Sequence, residues 1–235
     1  MKRMVLVMLA VVVTGTLAFG QTQVLSRNAV GYVKVDAERG KFALVRLDFE
    51  SMDGSQGGCT VLSNLLDSTQ FPSATLLYLW NYDTRTYKTT VARDPRGGWG
   101  VGGSNLLCRG EGFWIKIPES AASNSYPVFM MGEVPDRSTA PTTTVDGIFG
   151  LNILGYPYPV DTAWTNTDLA KKLPANSLLY IWSSESNKYL GPYAKNPRGG
   201  VWDGAADLVI HPGQAFWVRT TQSVDWVESK PYTWP

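Results

Sequence analysis

The chain has 235 residues, 44 % hydrophobic and 17 % charged. That is apolar enough for a packed interior, and long enough for one large domain or two of about 100–150 residues. Its formal charge is +1, and setting Lys2 and Arg3 aside leaves 19 basic against 20 acidic side chains, a balance that excludes an electrostatic footprint for nucleic acid or an anionic membrane surface.

Taken from the N-terminus, residues 1–20 read as a secretory signal peptide. Lys2 and Arg3 provide a positive start, Val5 to Val13 an apolar stretch too short to span a bilayer, and Ala18-Phe19-Gly20 a cleavage site before Gln21. Export and solubility after cleavage are the expectations. A first β domain then covers 21–135, a polar, proline-bearing linker 136–144, and a second β domain 145–235. Strands are predicted over Ala29–Val35 and Phe42–Phe49, and a short helix over Val61–Ser68. Further strands cover Leu76–Trp80, Tyr87–Ala92, Phe113–Ile117 and Val128–Val134. Beyond the linker the pattern predicts a helix over Thr167–Lys172, where Thr167 and Asp168 signal an N-cap, and strands over Leu178–Trp182, Leu208–Ile210 and Val224–Val227. Asp94-Pro95-Arg96-Gly97-Gly98 is a turn, because proline holds one φ and the glycines permit positive φ. The fold class expected is all-β, with one short helix per unit and two repeated barrel-like or sandwich-like domains.

Self-similarity supports that division. Leu76-Leu77-Tyr78-Leu79-Trp80 recurs as Leu178-Leu179-Tyr180-Ile181-Trp182, and Asp94-Pro95-Arg96-Gly97-Gly98 as Asn196-Pro197-Arg198-Gly199-Gly200, both at an offset of 102. Gly110-Glu111-Gly112-Phe113-Trp114 returns as Gly213-Gln214-Ala215-Phe216-Trp217 at 103. Upstream, Ala43 to Leu47 aligns with Gly150 to Leu154, while the strand around Tyr32 has no evident counterpart.

With Asn28-Ala29-Val30-Gly31-Tyr32-Val33, the Leu-Leu-Tyr-Leu-Trp strand, Gly110-Glu111-Gly112-Phe113-Trp114 and Met131-Gly132-Glu133-Val134-Pro135, nearly the whole chain after the leader resembles a family of secreted two-repeat bacterial β-proteins. That family carries VGYV, PGEGFW and GEVP signatures. The resemblance implies export and a two-unit architecture, and it implies no activity.

The inventory of reactive side chains offers no convincing catalytic centre. His211 is the single histidine, which excludes multi-histidine metal sites. Asp94 is exchanged for Asn196 and Glu111 for Gln214 between the repeats. An amide keeps the acceptor oxygen and loses the titrating proton, so these positions read as turn acceptors and not as general acids. A disulfide is expected between Cys59 and Cys108 in an oxidising compartment. Neither metal nor cofactor is expected. Trp80, Trp114, Trp182 and Trp217 are assigned to the two β cores. The candidate ligand contacts are Trp99 and Trp202 beside the Pro-Arg-Gly-Gly turns, with Arg96, Arg198, Tyr87 and Tyr189. The chain reads as a non-catalytic structural or binding component of the envelope or extracellular matrix, its partner a glycan or another extracellular protein. A carbohydrate-binding module is the alternative, and a glycoside hydrolase is less favoured.

Overall fold

The computed structural model describes residues 29–52, 59–137, 140, 142–147 and 150–233. The expected leader over 1–20 lies outside the described residues. In the first half, β1 (Val30–Glu38), β2 (Phe42–Arg46) and β3 (Cys59–Val61) precede helix α1 (Leu62–Leu65). Then come β4 (Leu76–Asn81), β5 (Thr86–Tyr87), β6 (Val91–Ala92), β7 (Leu106–Cys108), β8 (Gly112–Lys116) and β9 (Ser125–Glu133). The second half holds β10 (Thr143–Val145), β11 (Leu151–Gly155), β12 (Thr162–Ala163) and helix α2 (Asp168–Lys172). It continues with β13 (Leu178–Ser183), β14 (Lys188–Lys195), β15 (Trp202–Asp203), β16 (Val209–Ile210), β17 (Ala215–Arg219) and β18 (Val224–Trp226). The fold is all-β, built of antiparallel strands with two short helices. No helix of the described residues is long and apolar enough to cross a membrane.

The main sheets run β2-β8-β4-β5, with β6 also on β4, and β11-β17-β13-β14-β15. Neither closes into a barrel. Two-stranded pairs flank them: β1 with β9 and β3 with β7 in the first half, β10 with β18 and β12 with β16 in the second. Positions 102 or 103 apart hold matching registers: Trp80 faces Tyr87 and Trp182 faces Tyr189, while Tyr78 faces Trp114 and Tyr180 faces Trp217. Left-handed backbone recurs at the same places, at Ala74 and Asn176 and at Arg85 and Asn187. Two sequence alignments need correction. Leu44 pairs with Trp114 as Ile153 pairs with Trp217, so β2 matches β11 at an offset of 109, two residues beyond the alignment of Ala43 with Gly150. And β1 does have a positional counterpart, β10, which precedes β11 and pairs with β18 over three residues where β1 pairs with β9 over nine. Strand β10 lies partly in the segment expected to be linker, and Thr144 there donates a hydrogen bond to Asp225 at 2.8 Å.

Each sheet is covered on both faces. Leu77, Leu79, Phe113 and Ile115 point into the first core with Val45 and Leu62. Leu179, Ile181, Phe216 and Val218 point into the second, with the fully buried Trp164 and Tyr158. Successive strand residues face opposite ways, so Tyr78, Trp80 and Trp114 leave the first core and Tyr180, Trp182 and Trp217 leave the second. These rings meet in a third apolar layer with Leu44, Ile153 and Ala215. This corrects the assignment of the four tryptophans to two separate cores. Trp80 packs edge-on against Trp217 at 5.1 Å between ring centres, and Trp114 against Trp182 at 5.0 Å. Close approach needs small residues at the crossing. A Cβ on Gly112 would lie 2.3 Å from Ile153, and one on Gly155 would collide with Arg46.

Candidate functional site

The aromatic layer opens to solvent along one side. There, Phe42, Tyr78, Tyr87, Trp114, Trp182 and Tyr189 line a cleft of about 400 Å³. Each element delivers its ring for a simple reason. Phe42 and Trp114 lie on neighbouring strands, their ring centres 5.8 Å apart. Tyr87 and Tyr189 follow hairpin turns whose Arg85 and Asn187 adopt positive φ, and they return opposite Trp80 and Trp182. Both tyrosines are 46 % exposed. Tyr189 stands 4.9 Å from Trp182 in its own sheet and 6.3 Å from Trp114 in the other. The cleft wall is pinned across the halves: the Trp182 indole donates to the Phe42 carbonyl at 2.7 Å, and Lys41 donates to the Glu185 carbonyl at 2.8 Å.

A second cleft of about 500 Å³ adjoins the first, lined by Leu151, Tyr180, Tyr189, Trp217 and Arg219. Its members match those of the first by register, with Leu151 in place of Phe42, Tyr180 of Tyr78 and Trp217 of Trp114. Tyr189 belongs to both, so the clefts form one aromatic strip. Lys116 stands over the Phe42 ring at 5.0 Å, and Arg219 is its register counterpart. The strip is therefore apolar along its floor and cationic on its rim. The Trp114 indole donates to the Tyr87 hydroxyl at 2.9 Å. Burial raises the pKa values of both Tyr87 and Tyr189, so each hydroxyl keeps its proton and can donate to a ligand oxygen.

Of the residues singled out in the sequence, Tyr87 and Tyr189 lie in this strip and the others do not. Trp202 is 3 % exposed, its indole donating to the Ala170 carbonyl in α2. Trp99 is half-buried, donates to the Leu66 carbonyl at 2.7 Å and packs against Phe71. Trp202 therefore has almost no surface left for a ligand, while Trp99 keeps a partly exposed ring that lies outside the aromatic strip. The turn beside each tryptophan leads into a short bridge, which carries the ring inward. Arg96 and Arg198 are exposed on those turns, away from the aromatic strip. Phe42, Tyr78, Trp114 and Trp182 are the cleft residues that sequence reasoning missed. The alternation of aliphatic and aromatic residues in Leu-Leu-Tyr-Leu-Trp was their signal, because it places the large rings on the face opposite the aliphatic core.

The remaining candidates have turn and cross-strand roles. Asp94 and Asn196 accept from the backbone nitrogens of Arg96 and Arg198 at 2.7 and 2.8 Å. Glu111 and Gln214 accept from those of Cys108 and His211 at 3.0 and 3.1 Å. Cys59 and Cys108 are directly opposed in β3 and β7 and form a disulfide. At the equivalent place beside β12 and β16, Asp161 meets His211 at 2.9 Å, both side chains well exposed. Among the described residues no cluster of three or more histidine, cysteine or acidic side chains forms a metal-binding group. The chain matches no protein-family model, no curated protein and no solved structure.

Proposed function

We propose that the protein is an exported, non-catalytic binding component of the envelope or extracellular matrix, built from two copies of one β unit. Its ligand is a carbohydrate chain laid along the aromatic strip. The observation that carries this is the set of six aromatic rings, drawn from both halves, around one open cleft that continues into a second across Tyr189. Sugar rings offer apolar C–H faces to stack on such a floor, and hydroxyls to meet the tyrosine O–H groups and the Lys116 and Arg219 rim. A strip of two matched clefts suits an extended ligand with repeating units. Export is supported by the leader-like first twenty residues and by the disulfide, which persists in oxidising compartments.

The test is a glycan array followed by titration of tryptophan fluorescence with each neutral oligosaccharide hit. Tyr87→Ala/Tyr189→Ala is expected to weaken binding at least about fivefold, from the loss of two stacking contacts of roughly 0.5–1.5 kcal/mol each. Unchanged affinity in that folded variant, or an array with no hit, removes the proposal.

A further inference from the structure

At the far end of the junction between the halves lies a third cleft, of about 470 Å³ and lined by charged and polar side chains. Strand β2 links the two places: Phe42 at its start lines the aromatic cleft, and Glu50, beyond its end, lines the polar one. The volume lies within the roughly 300–1,000 Å³ typical of small-ligand sites. Its wall carries Arg85 and Arg109 from the first half, opposite Thr143, Thr144 and Trp226 from the second.

The unmet hydrogen-bonding capacity of this cleft is almost all on the donor side. Arg109 has a side chain only 4 % exposed, and its one ion pair, to Glu50, is long at 3.4 Å. Among the described residues, both its terminal nitrogens, and Nε and Nη1 of Arg85, are buried without a hydrogen-bond partner. Leaving a buried guanidinium nitrogen unpaired is costly, and a planar, doubly accepting carboxylate would recover that cost through paired N–H···O bonds. The carboxylates of the wall are better satisfied. Glu228 accepts from the Asp168 nitrogen at 3.0 Å and from the Trp226 indole at 2.7 Å, and Glu111 accepts from the Cys108 nitrogen. Glu50 and Asp83 remain to accept hydroxyl protons, and Trp226, Leu154 and Pro157 supply apolar surface.

We infer that this cleft binds an acidic sugar, its carboxylate held by Arg85 and Arg109 and its hydroxyls by the acidic side chains and threonines around them. The site is separate from the aromatic strip and does not depend on the reading of that strip. A free peptide carboxylate would satisfy the arginines, but it lacks the hydroxyls that would donate to Glu50 and Asp83.

Isothermal titration with trigalacturonate, its methyl ester and triglycine tests this on the full chain. Trigalacturonate should bind with one-to-one stoichiometry, at least about tenfold more tightly than the ester, and more weakly as salt is raised from 50 to 500 mM, as charge pairing requires. Arg85→Gln should weaken it about tenfold or more, as should Arg109→Gln if that buried site tolerates the change. Tyr87→Ala/Tyr189→Ala should leave it intact, which separates this site from the strip. Equal binding of acid and ester, binding of triglycine as tight as that of trigalacturonate, or no binding by folded protein overturns the inference.

Discussion

At the scale of single residues, Glu111 shows how a carboxylate can be mistaken for chemistry. It lines a cavity and burial raises its pKa, opposed by the hydrogen bond from the Cys108 nitrogen, a profile that invites a general-acid assignment. Yet Gln214 makes the same hydrogen bond to the backbone three residues before it. The shared requirement is an acceptor oxygen that closes a tight turn into a strand. Glu111→Gln should therefore change stability by less than about 1 kcal/mol, since the acceptor survives and the cost of burying charge is removed. Glu111→Ala should cost about 1–3 kcal/mol through an orphaned backbone N–H. Urea denaturation of the two variants measures the difference; a loss in the glutamine variant as large as in the alanine one would show that the charge itself matters. This role was legible in the sequence, because the exchange of Glu for Gln between two otherwise similar sequence blocks is itself the argument.

The elements of the two halves solve one problem with different chemistry. Strand pairs β3–β7 and β12–β16 each hold the segment before a short helix to the segment before a central strand. In the first the staple is covalent, closing a loop of 49 residues. In the second it is the exposed Asp161–His211 pair. Chain entropy gives the disulfide about 4 kcal/mol as an upper figure, whereas an exposed ion pair contributes about 0–1 kcal/mol. Cys59→Ala/Cys108→Ala should thus lower the melting temperature by several degrees, and Asp161→Ala/His211→Ala by about two degrees or less. Differential scanning calorimetry of both variants decides it, and equal losses would contradict the assignment. The second half instead carries a better-capped helix: Thr167 accepts from the Ala170 nitrogen at 3.0 Å, and Lys195 donates to the carbonyls of Ala170, Lys171 and Leu173. Thr167 and the short α2 were foreseen from the cap signal. The first helix was overextended in the sequence, since Asp67 caps a separate 3-10 turn over Ser68–Gln70 after α1 has ended at Leu65.

Across the whole molecule, the halves are joined by the aromatic layer and by one buried ion pair. Arg46 and Asp48 are fully buried and 2.6 Å apart. Arg46 donates to the Tyr158 carbonyl at 3.2 Å, and Asp48 accepts from the Gly213 nitrogen at 2.5 Å, so the pair holds two segments of the second half. Burial raises the Asp48 pKa to about 6, with Arg46 and the Gly213 hydrogen bond opposing. A carboxyl with a raised folded-state pKa binds more protons folded than unfolded. Its contribution is therefore fullest below about pH 4, near the ordinary aspartate value, and is lost as pH rises through about 6. Asp48→Asn removes this term, so the stability of the wild type relative to the variant should fall between pH 4 and 6. Chemical denaturation across that range tests it, and a difference that rises with pH would reverse the assignment.

The sequence alone determined the all-β class, the cysteine pairing, the correspondence of the aromatic strand blocks, and the turn roles of Asp94, Asn196, Glu111 and Gln214. Apart from the cysteine pairing, which follows from there being only two cysteines, these rest on short-range physics: period-two alternation, turn-forming glycine and proline, and side-chain acceptors for nearby backbone donors. Only the tertiary structure decided where the large rings go. A strand pattern states that Leu79 and Trp80 face opposite ways, but not which face meets its own core and which meets the other half. That choice depends on contacts between residues more than a hundred positions apart, such as Trp80 with Trp217, and on Gly155 leaving room for Arg46. Packing against Trp164 and Ala170 within its own half turned Trp202 inward, and the meeting of the halves left Tyr87 and Tyr189 at the mouth of a cleft that neither half forms by itself.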